Sequence, residues 1–419
     1  MASTYLSKTF AQAGNRRTFT ISYWIKMGQV STGADQAIMG AAQDGSNSDD
    51  LYIHTGRLNF SGYYGSTAYQ VRTTAKYRDL SGWYHHVIRF DSTQSTASDR
   101  LRLYVNGELQ TALDSNTYPS QNLETTYFNT ARQHTIGSIA YGVPNLAFNG
   151  SMSHFHFCDG YSYGADSFGE TDSTTGEWKI KTSPSVSYGT NGFFILKDGN
   201  SVTDQSGQGN NWSVGGGTLT KTEDCPSNVF ATWNPLDRWV GGTFTGTNGN
   251  TTVRGSDSHN TRFGCTLAVT SGKYYWEVKA MESVTHGGTG VGIASIPDTH
   301  TNSSSWFGNS SYALIFQTLQ FSSNTLKTYV GGNTDSYTGN ISVGDIINFA
   351  LDMDNSGFYI GINGSWLNSG DPTSGSSKTG AINTGTNANS FFGNMSGKTI
   401  MPVGNVQHSD YIQSNFGND

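Results

Sequence analysis

Residues 101–110 read LRLYVNGELQ, and residues 357–366 read GFYIGINGSW. In each, alternating residues run into Asn-Gly, after which strand-like sequence resumes. A period of two places Leu101, Leu103 and Val105 on one strand face, with Arg102, Tyr104 and Asn106 on the other. In the second stretch Phe358, Ile360 and Ile362 share a face, opposite Gly357, Tyr359 and Gly361. Asn-Gly supplies the positive φ angles of a tight hairpin turn. Another alternating segment precedes each copy across a polar gap: YHHVIRFD at 84–91 and IINFALDMDN at 346–355. Each copy therefore predicts a hairpin with one core face and one lighter, wetter face. The recurrence predicts two regions of related architecture.

Strand signals of the same kind fill the rest of the chain, among them TFTISYWIKM (18–27), SMSHFHFCD (151–159), GFFILKDG (192–199), GTGVGIASI (288–296) and TIMPVGNV (399–406). Long amphipathic helices are missing. With 52 Gly, 8 Pro and 13% aromatic residues, the composition suits tight turns and strands and not a disordered chain. The expected fold class is all-β: two antiparallel jelly-roll β-sandwiches in tandem. A composition break near residue 222 sets the expected domains at 1–222 and 223–419. Residues 160–190, rich in Gly, Ser and Thr, are expected to form a long surface excursion.

The charge balance excludes several functions. Lys and Arg number 24 against 31 Asp and Glu, a net charge of -7, and no basic block offers a surface for nucleic acid. No apolar run approaches the length of a membrane span, and the N-terminal stretch has no apolar signal core. The expectation is synthesis in a cytoplasm without membrane insertion. Cys158, Cys225 and Cys265 are odd in number and far apart, so they predict neither a disulfide framework nor a zinc site.

Several segments resemble known families. WYHHVIRFD, LRLYVNGELQ, HTIGS and FNGSMSHFHFCD together resemble the laminin-G-like, concanavalin-A-like lectin fold. YLSKTFAQAGNRRTFTISYWIK and FGETDSTTGEWK…YGTNGFFILKD resemble the version of that domain in tailed-phage structural proteins. SGKYYWEVKAME, GVGIAS, IINFALDMDNSGFYIGINGSW and MPVGNVQHSDYIQSNFG resemble a SPRY domain, a second concanavalin-like sandwich that is usually a binding module. The resemblance implies a phage virion protein: a tail, fibre or head-decoration component in the virion. Its partners would be other virion proteins and host-surface polysaccharide. It also implies a homo-oligomer, and a trimer if the chain is a fibre.

Catalysis finds no residues to carry it. A glycosidase needs two carboxylates flanking the scissile bond. The chain has only seven Glu, and the nearest pair, Glu277 and Glu282, would face opposite ways on one strand. No Gly-x-Ser-x-Gly elbow occurs, and the expectation is no enzyme. For metals, His154 and His156 in SHFHF are expected on one wet strand face above a Phe-lined core, where a third ligand would complete a site. His85 and His86 are adjacent and face opposite ways. Asp352, Asp354, Ser356 and Gly357 begin like a calcium loop, but Asn363 replaces its closing Glu, and a hairpin is the better reading. Asp198 and Asp204 flank a polar turn, and relatives of lectin type place calcium near such loops. No cofactor is otherwise expected. Glycan binding is the live option, since sugars take flat aromatic faces beside Asn and Asp. The candidates are Tyr63, Tyr64 and Tyr69 in GYYGSTAY, read as a turn exposing its rings, and Trp306 and Tyr312 in NSSSWFGNSSYA.

Overall fold

The computed structural model describes residues 4–29, 34–139, 146–174, 176–197, 201–240, 244–255, 261–280, 289–296, 310–317, 325–406 and 410–417. Every strand pairing among them is antiparallel, and the one α-helix, Asn389–Phe392, is a single turn. The chain divides into two compact units, changing over between Val229 and Phe230.

In the first unit an eight-stranded sheet runs Leu113–Thr117, Thr67–Thr73, Arg57–Tyr64, Asn47–His54, Gln36–Asp44, Gln133–Ile136, Tyr5–Thr9 and Ser213–Gly216. A six-stranded sheet runs Phe193–Ile195, Gly150–Asp159, Thr18–Met27, Tyr84–Asp91, Leu101–Val105 and Glu108–Leu109. Alternation along each strand gives each sheet an apolar face, and the two faces close one core. Phe19, Ile21, Tyr23 and Ile25 pack with Leu51, Ile53, Leu58 and Phe60. Phe19 stacks on Phe90 at 4.7 Å and meets Phe60 edge-on at 6.3 Å.

The second unit repeats the plan with two seven-stranded sheets. One contains Thr261–Cys265, Thr399–Val406, Gly290–Ile296 and Ala313–Gln317; the other contains Tyr411–Asn415, Lys273–Ala280, Ile346–Asp352, Gly357–Ile362 and Ser365–Trp366. Its core includes Trp233, Phe263, Trp276, Phe349 and Phe358, with Trp276 stacked on Phe349 at 5.2 Å. The protein is thus all-β, two antiparallel sandwiches in tandem.

The repeated device occupies the same place in both units, at the end of a sheet. Asn106 (φ 47°) and Gly107 (φ 85°) turn Leu101–Val105 into Glu108–Leu109; Asn363 (φ 50°) and Gly364 (φ 80°) turn Gly357–Ile362 into Ser365–Trp366. The asparagine does more than turn. Asn106 Oδ1 accepts the His85 N–H at 2.8 Å, and the Asn106 N–H donates to the His85 carbonyl at 2.8 Å. Asn363 does the same with Ile346, at 2.9 and 2.8 Å. The side chain thereby satisfies an N–H at the start of the preceding strand, which explains Asn in this turn.

The faces need correction. Leu101, Leu103 and Val105 are buried as alternation requires, as are Phe358 and Ile360, while Ile362 is half-buried. The opposite face is not wet at Tyr359, which is only 1% exposed. Ala381 and Trp366 pack on it, because the chain after Trp366 folds back across the sheet.

The excursion is ordered within its own unit. It forms a short hairpin, Gly169–Thr171 with Trp178–Ile180, and lies on the outward face of the six-stranded sheet. Ala165 and Phe168 are buried there with Val87 and Cys158. A Cβ at Gly107 would come within 2.6 Å of the Trp178 ring, so that position needs glycine for contact as well as for φ.

The first unit also continues past the composition break near residue 222. Lys26, 1% exposed, pairs with Asp224 at 2.7 Å, and the Trp83 indole N–H donates to the other Asp224 oxygen at 3.2 Å. A buried ammonium requires such a partner, so this segment is held to the sandwich.

Candidate glycan-binding face

GYYGSTAY is not a loop. Its residues pair Arg57–Tyr64 with Thr67–Thr73, and only Gly65 and Ser66 form the turn. The three tyrosines consequently part company. Tyr63 points out and is 41% exposed, whereas Tyr69 is fully buried in the core. Tyr64 is half-buried and donates its hydroxyl to Asp49 Oδ1 at 2.6 Å; Tyr69 donates to the same oxygen at 2.7 Å. Asp49 Oδ2 accepts the backbone N–H groups of Tyr127 and Phe128 at 2.7 and 2.9 Å. Burial raises the Asp49 carboxyl above the usual carboxylate range, against the pull of these four donors. Tyr64 and Tyr69 therefore serve a buried carboxylate hub that ties the hairpin to the loop at 125–128, and they are corrected from platform to scaffold. Tyr63 alone retains the geometry of a sugar-stacking ring.

The sequence pattern carried a signal that aromatic counting missed. Alternation in Asn47–His54 sends Asp49, Leu51 and Ile53 inward, and so Ser48, Asp50 and Tyr52 outward. The registers then set Thr117, Gln70, Ser61, Asp50, Gly40, Thr135 and Ser7 side by side across seven strands of the sheet. This row contains no large apolar residue. Ser115 donates to the Gln70 amide oxygen at 3.1 Å, and Asn59 Nδ2 donates to Ser61 at 3.2 Å. At the margins Arg72 pairs with Asp114 at 2.7 Å and His54 with Asp35 at 2.6 Å.

Asp50 is the unusual member. Ser48 donates to its Oδ2, while its buried Oδ1 and that of Asn59 have no hydrogen-bond partner. Burial above all, with Asp49 and Asp35 nearby, pushes the Asp50 carboxyl up to about 7. Gly40 makes room for it: a Cβ there would lie 2.6 Å from Oδ1. The face thus offers half-buried hydroxyls and amides and a carboxyl poised near neutrality, beside one exposed ring.

The outward face of the six-stranded sheet is closed by contrast, and it holds the proposed His-x-His pair. His154 sits at a bulge with φ 47°, and both imidazoles are 2% exposed, so the expected wet face is corrected. His156 stacks on Phe194 at 3.9 Å, lies beside Phe168 at 5.2 Å, and meets the Tyr188 hydroxyl at 2.9 Å. Burial holds it well below the ordinary imidazole range. Among the described residues no three His, Cys, Asp or Glu side chains gather as a metal site would require. Asp204 uses both oxygens within its own loop: Oδ1 accepts from the Phe194 and Ser206 N–H groups, and Oδ2 from the Ser206 hydroxyl and Asn210 N–H, all at 2.8–2.9 Å. Its loop is folded round donors, where a calcium site would present oxygens. Asp198, Trp306 and Glu282 lie outside the described residues. Tyr312 is 40% exposed and meets Phe391 edge-on at 5.2 Å.

Residues 2–161 match the Laminin_G_3 family, described as the concanavalin A-like lectin/glucanases superfamily. No curated protein matches the chain. Among solved structures, the SPRY domain of human HERC1 is similar at 17% identity, covering 43% of this chain and 96% of that one, with a TM-score of 0.31. Domains LG4-5 of the mouse laminin alpha1 chain are similar at 10% identity, covering 99% and 88%, with a TM-score of 0.30. A pentraxin from Limulus polyphemus is similar at 17% identity, covering 38% and 70%, with a TM-score of 0.28. These are likenesses of fold and assign no residue a role.

Proposed function

We propose that the chain is a non-catalytic glycan-binding protein of a tailed-phage particle, a tail, fibre or head-decoration component that engages host-surface polysaccharide. One observation carries the glycan reading. Of the two outward faces of the first sandwich, one is covered by residues 160–190, and the other is the polar row beside exposed Tyr63. Hydroxyls, amides and a carboxyl on a rigid sheet, with a ring at the margin, suit a ligand made of hydroxyl groups. Asp49, the carboxylate next to Asp50, points into the core, so the strand supplies no pair to flank a glycosidic bond. The phage assignment is supported by the resemblance of residues 5–26 and 168–198 to tailed-phage structural proteins. A purely structural role, with other virion proteins as partners, is favoured by Val214, 45% exposed on an edge strand of the eight-stranded sheet.

The test is saturable binding of the folded full chain to bacterial envelope preparations, with and without competing envelope polysaccharide. The proposal expects the polysaccharide to abolish binding and Tyr63→Ala to weaken it. Binding that the polysaccharide leaves untouched would overturn the glycan reading in favour of a protein partner.

A further inference from the structure

A second aromatic concavity lies in the second unit, and none of Tyr63, Tyr64, Tyr69 and Tyr312 lines it. Its floor follows from alternation in Lys273–Ala280, where Trp276 and Val278 face the core and Tyr275 and Glu277 face out. Register places Tyr275 beside Ala350 and Ala350 beside Tyr359. The neighbouring row is Glu277, Asn348, Gly361 and Trp366. Small residues, Ala350 and Gly361, thus lie between large rings and leave a cleft of about 510 Å³, within the usual small-ligand range of roughly 300–1,000 Å³. Trp366 stands nearly perpendicular to Tyr275 and to Tyr359, at 6.5 Å from each. Asp371, Pro372 and Thr373 form the far wall.

Tyr275 is 53% exposed yet clamped. Its hydroxyl donates to Glu277 and accepts from Asn348 Nδ2 at 2.7 Å. A large exposed ring fixed in one orientation loses little entropy when a ligand stacks on it.

We infer that this cleft is a saccharide site, and that its ligand is an uncharged oligosaccharide. Two features select that chemistry. First, the aromatic hydroxyls are already engaged: Tyr275 with Glu277, Tyr274 with the Ser271 carbonyl at 2.9 Å, Tyr359 with Ser374 at 3.3 Å. A proline-rich peptide, the other ligand of Tyr- and Trp-lined grooves, presents carbonyl acceptors and needs such donors. The cleft offers instead a carboxylate acceptor, Asp371, whose Oδ1 accepts from Thr373 and whose Oδ2 accepts no bond among the described residues. Saccharide hydroxyls donate to such a group. Second, Asp352 and Asp371 line the cleft and Glu277 adjoins it, against the single ammonium of Lys273, which already lies 3.3 Å from Asp352. That balance repels a polyanion. The apolar C–H face of a pyranose fits over Tyr275, and its hydroxyls reach Asp371 and Lys273.

The experiment titrates the full chain, by calorimetry, with uncharged hexasaccharides of β-glucan, α-glucan, mannan and chitin type, a hyaluronan hexasaccharide and a proline-rich decapeptide. The inference expects saturable binding of at least one uncharged hexasaccharide, weakened about tenfold or more by Tyr275→Ala. Tyr275→Phe, which keeps the ring, should retain binding within about threefold. Tyr275→Ala should weaken this binding as much in a Tyr63→Ala background as in the parent, which separates the site from the one proposed on the first unit. Failure of all four uncharged probes would overturn the inference. So would binding indifferent to Tyr275→Ala, or tighter binding of hyaluronan or the peptide.

Discussion

The indole N–H of Trp178 donates to Nδ1 of His85 at 3.0 Å. That bond fixes the imidazole tautomer: Nδ1 is the acceptor, and Nε2 carries the proton toward Ser22 Oγ at 2.8 Å. The ring lies between Trp24 at 4.8 Å and Trp178 at 5.9 Å, nearly parallel to both. A tryptophan from the Gly- and Thr-rich excursion thus completes a stack begun on the six-stranded sheet.

Trp178→Ala should free the excursion without unfolding the sandwich. Hydrogen exchange should rise across residues 160–190, and the imidazole of His85 should titrate closer to its ordinary value as water reaches it. Unchanged exchange would mean that Phe168 and Ala165 alone anchor the segment.

The carboxylate hub and its exposed neighbour should separate cleanly. Asp49→Ala strands four donors in the interior and should cost about 3–5 kcal/mol by urea denaturation. Tyr64→Phe should cost about 1 kcal/mol, and Tyr63→Ala no more than about 0.5 kcal/mol. Equal losses for Tyr63 and Asp49 would contradict their placement.

Asp50→Asn should reveal a charge held at a cost. In the native protein this carboxyl titrates at about 7, against 3.8 for an unperturbed Asp. Between those values the folded state holds a proton that the unfolded chain releases, so this group's contribution falls as pH rises. The amide variant should match the parent near pH 4 and exceed it in melting temperature at pH 8. A pH-independent difference would show that Asp50 is ionised throughout.

Acid should nevertheless destabilise the first unit overall. Burial lowers His85 and His86 to about 3 and His134 to about 4, and holds His156 well below its ordinary value. Their unfolded forms protonate near 6.5. As pH falls from there toward 4, the unfolded chain takes up protons that four folded imidazoles refuse, and stability falls. Asp49 and Asp50, both raised by burial, work the other way but are outnumbered. Denaturation midpoints that rise from pH 7 to pH 5 would reverse this reading.

Asp224→Ala should remove about 3–5 kcal/mol, because it leaves the Lys26 ammonium buried without its partner. Lys26→Met combined with Asp224→Leu should recover most of that loss. Failure of the double variant to recover would show that the Trp83 bond to Asp224 matters more than the ion pair.

What the sequence determined by itself was the set of local alternations. A period of two is a property of the strand, so LRLYVNG and GFYIGING announced their core faces and their turns before any partner strand was known. Chain-wide repetition of that pattern, without helical periodicity, was enough for two β-sandwiches. The outward faces were decided elsewhere. Whether a polar strand face meets water depends on what a distant segment lays over it. Residues 160–190 cover the histidine face and the turn after Trp366 covers Tyr359, while the row through Asp50 keeps half-buried Ser61 and Gln70 and exposed Thr117 at one end. The same holds for the tyrosines. Tyr63, Tyr64 and Tyr69 are near neighbours in sequence, yet strand alternation and the buried carboxylate of Asp49 give them three different environments. Tyr275 is far in sequence from Trp366 and Asp371, and only strand register brings it to the same cleft. Side-chain direction is local and legible. Coverage and convergence are long-range, and only the packed chain supplies them.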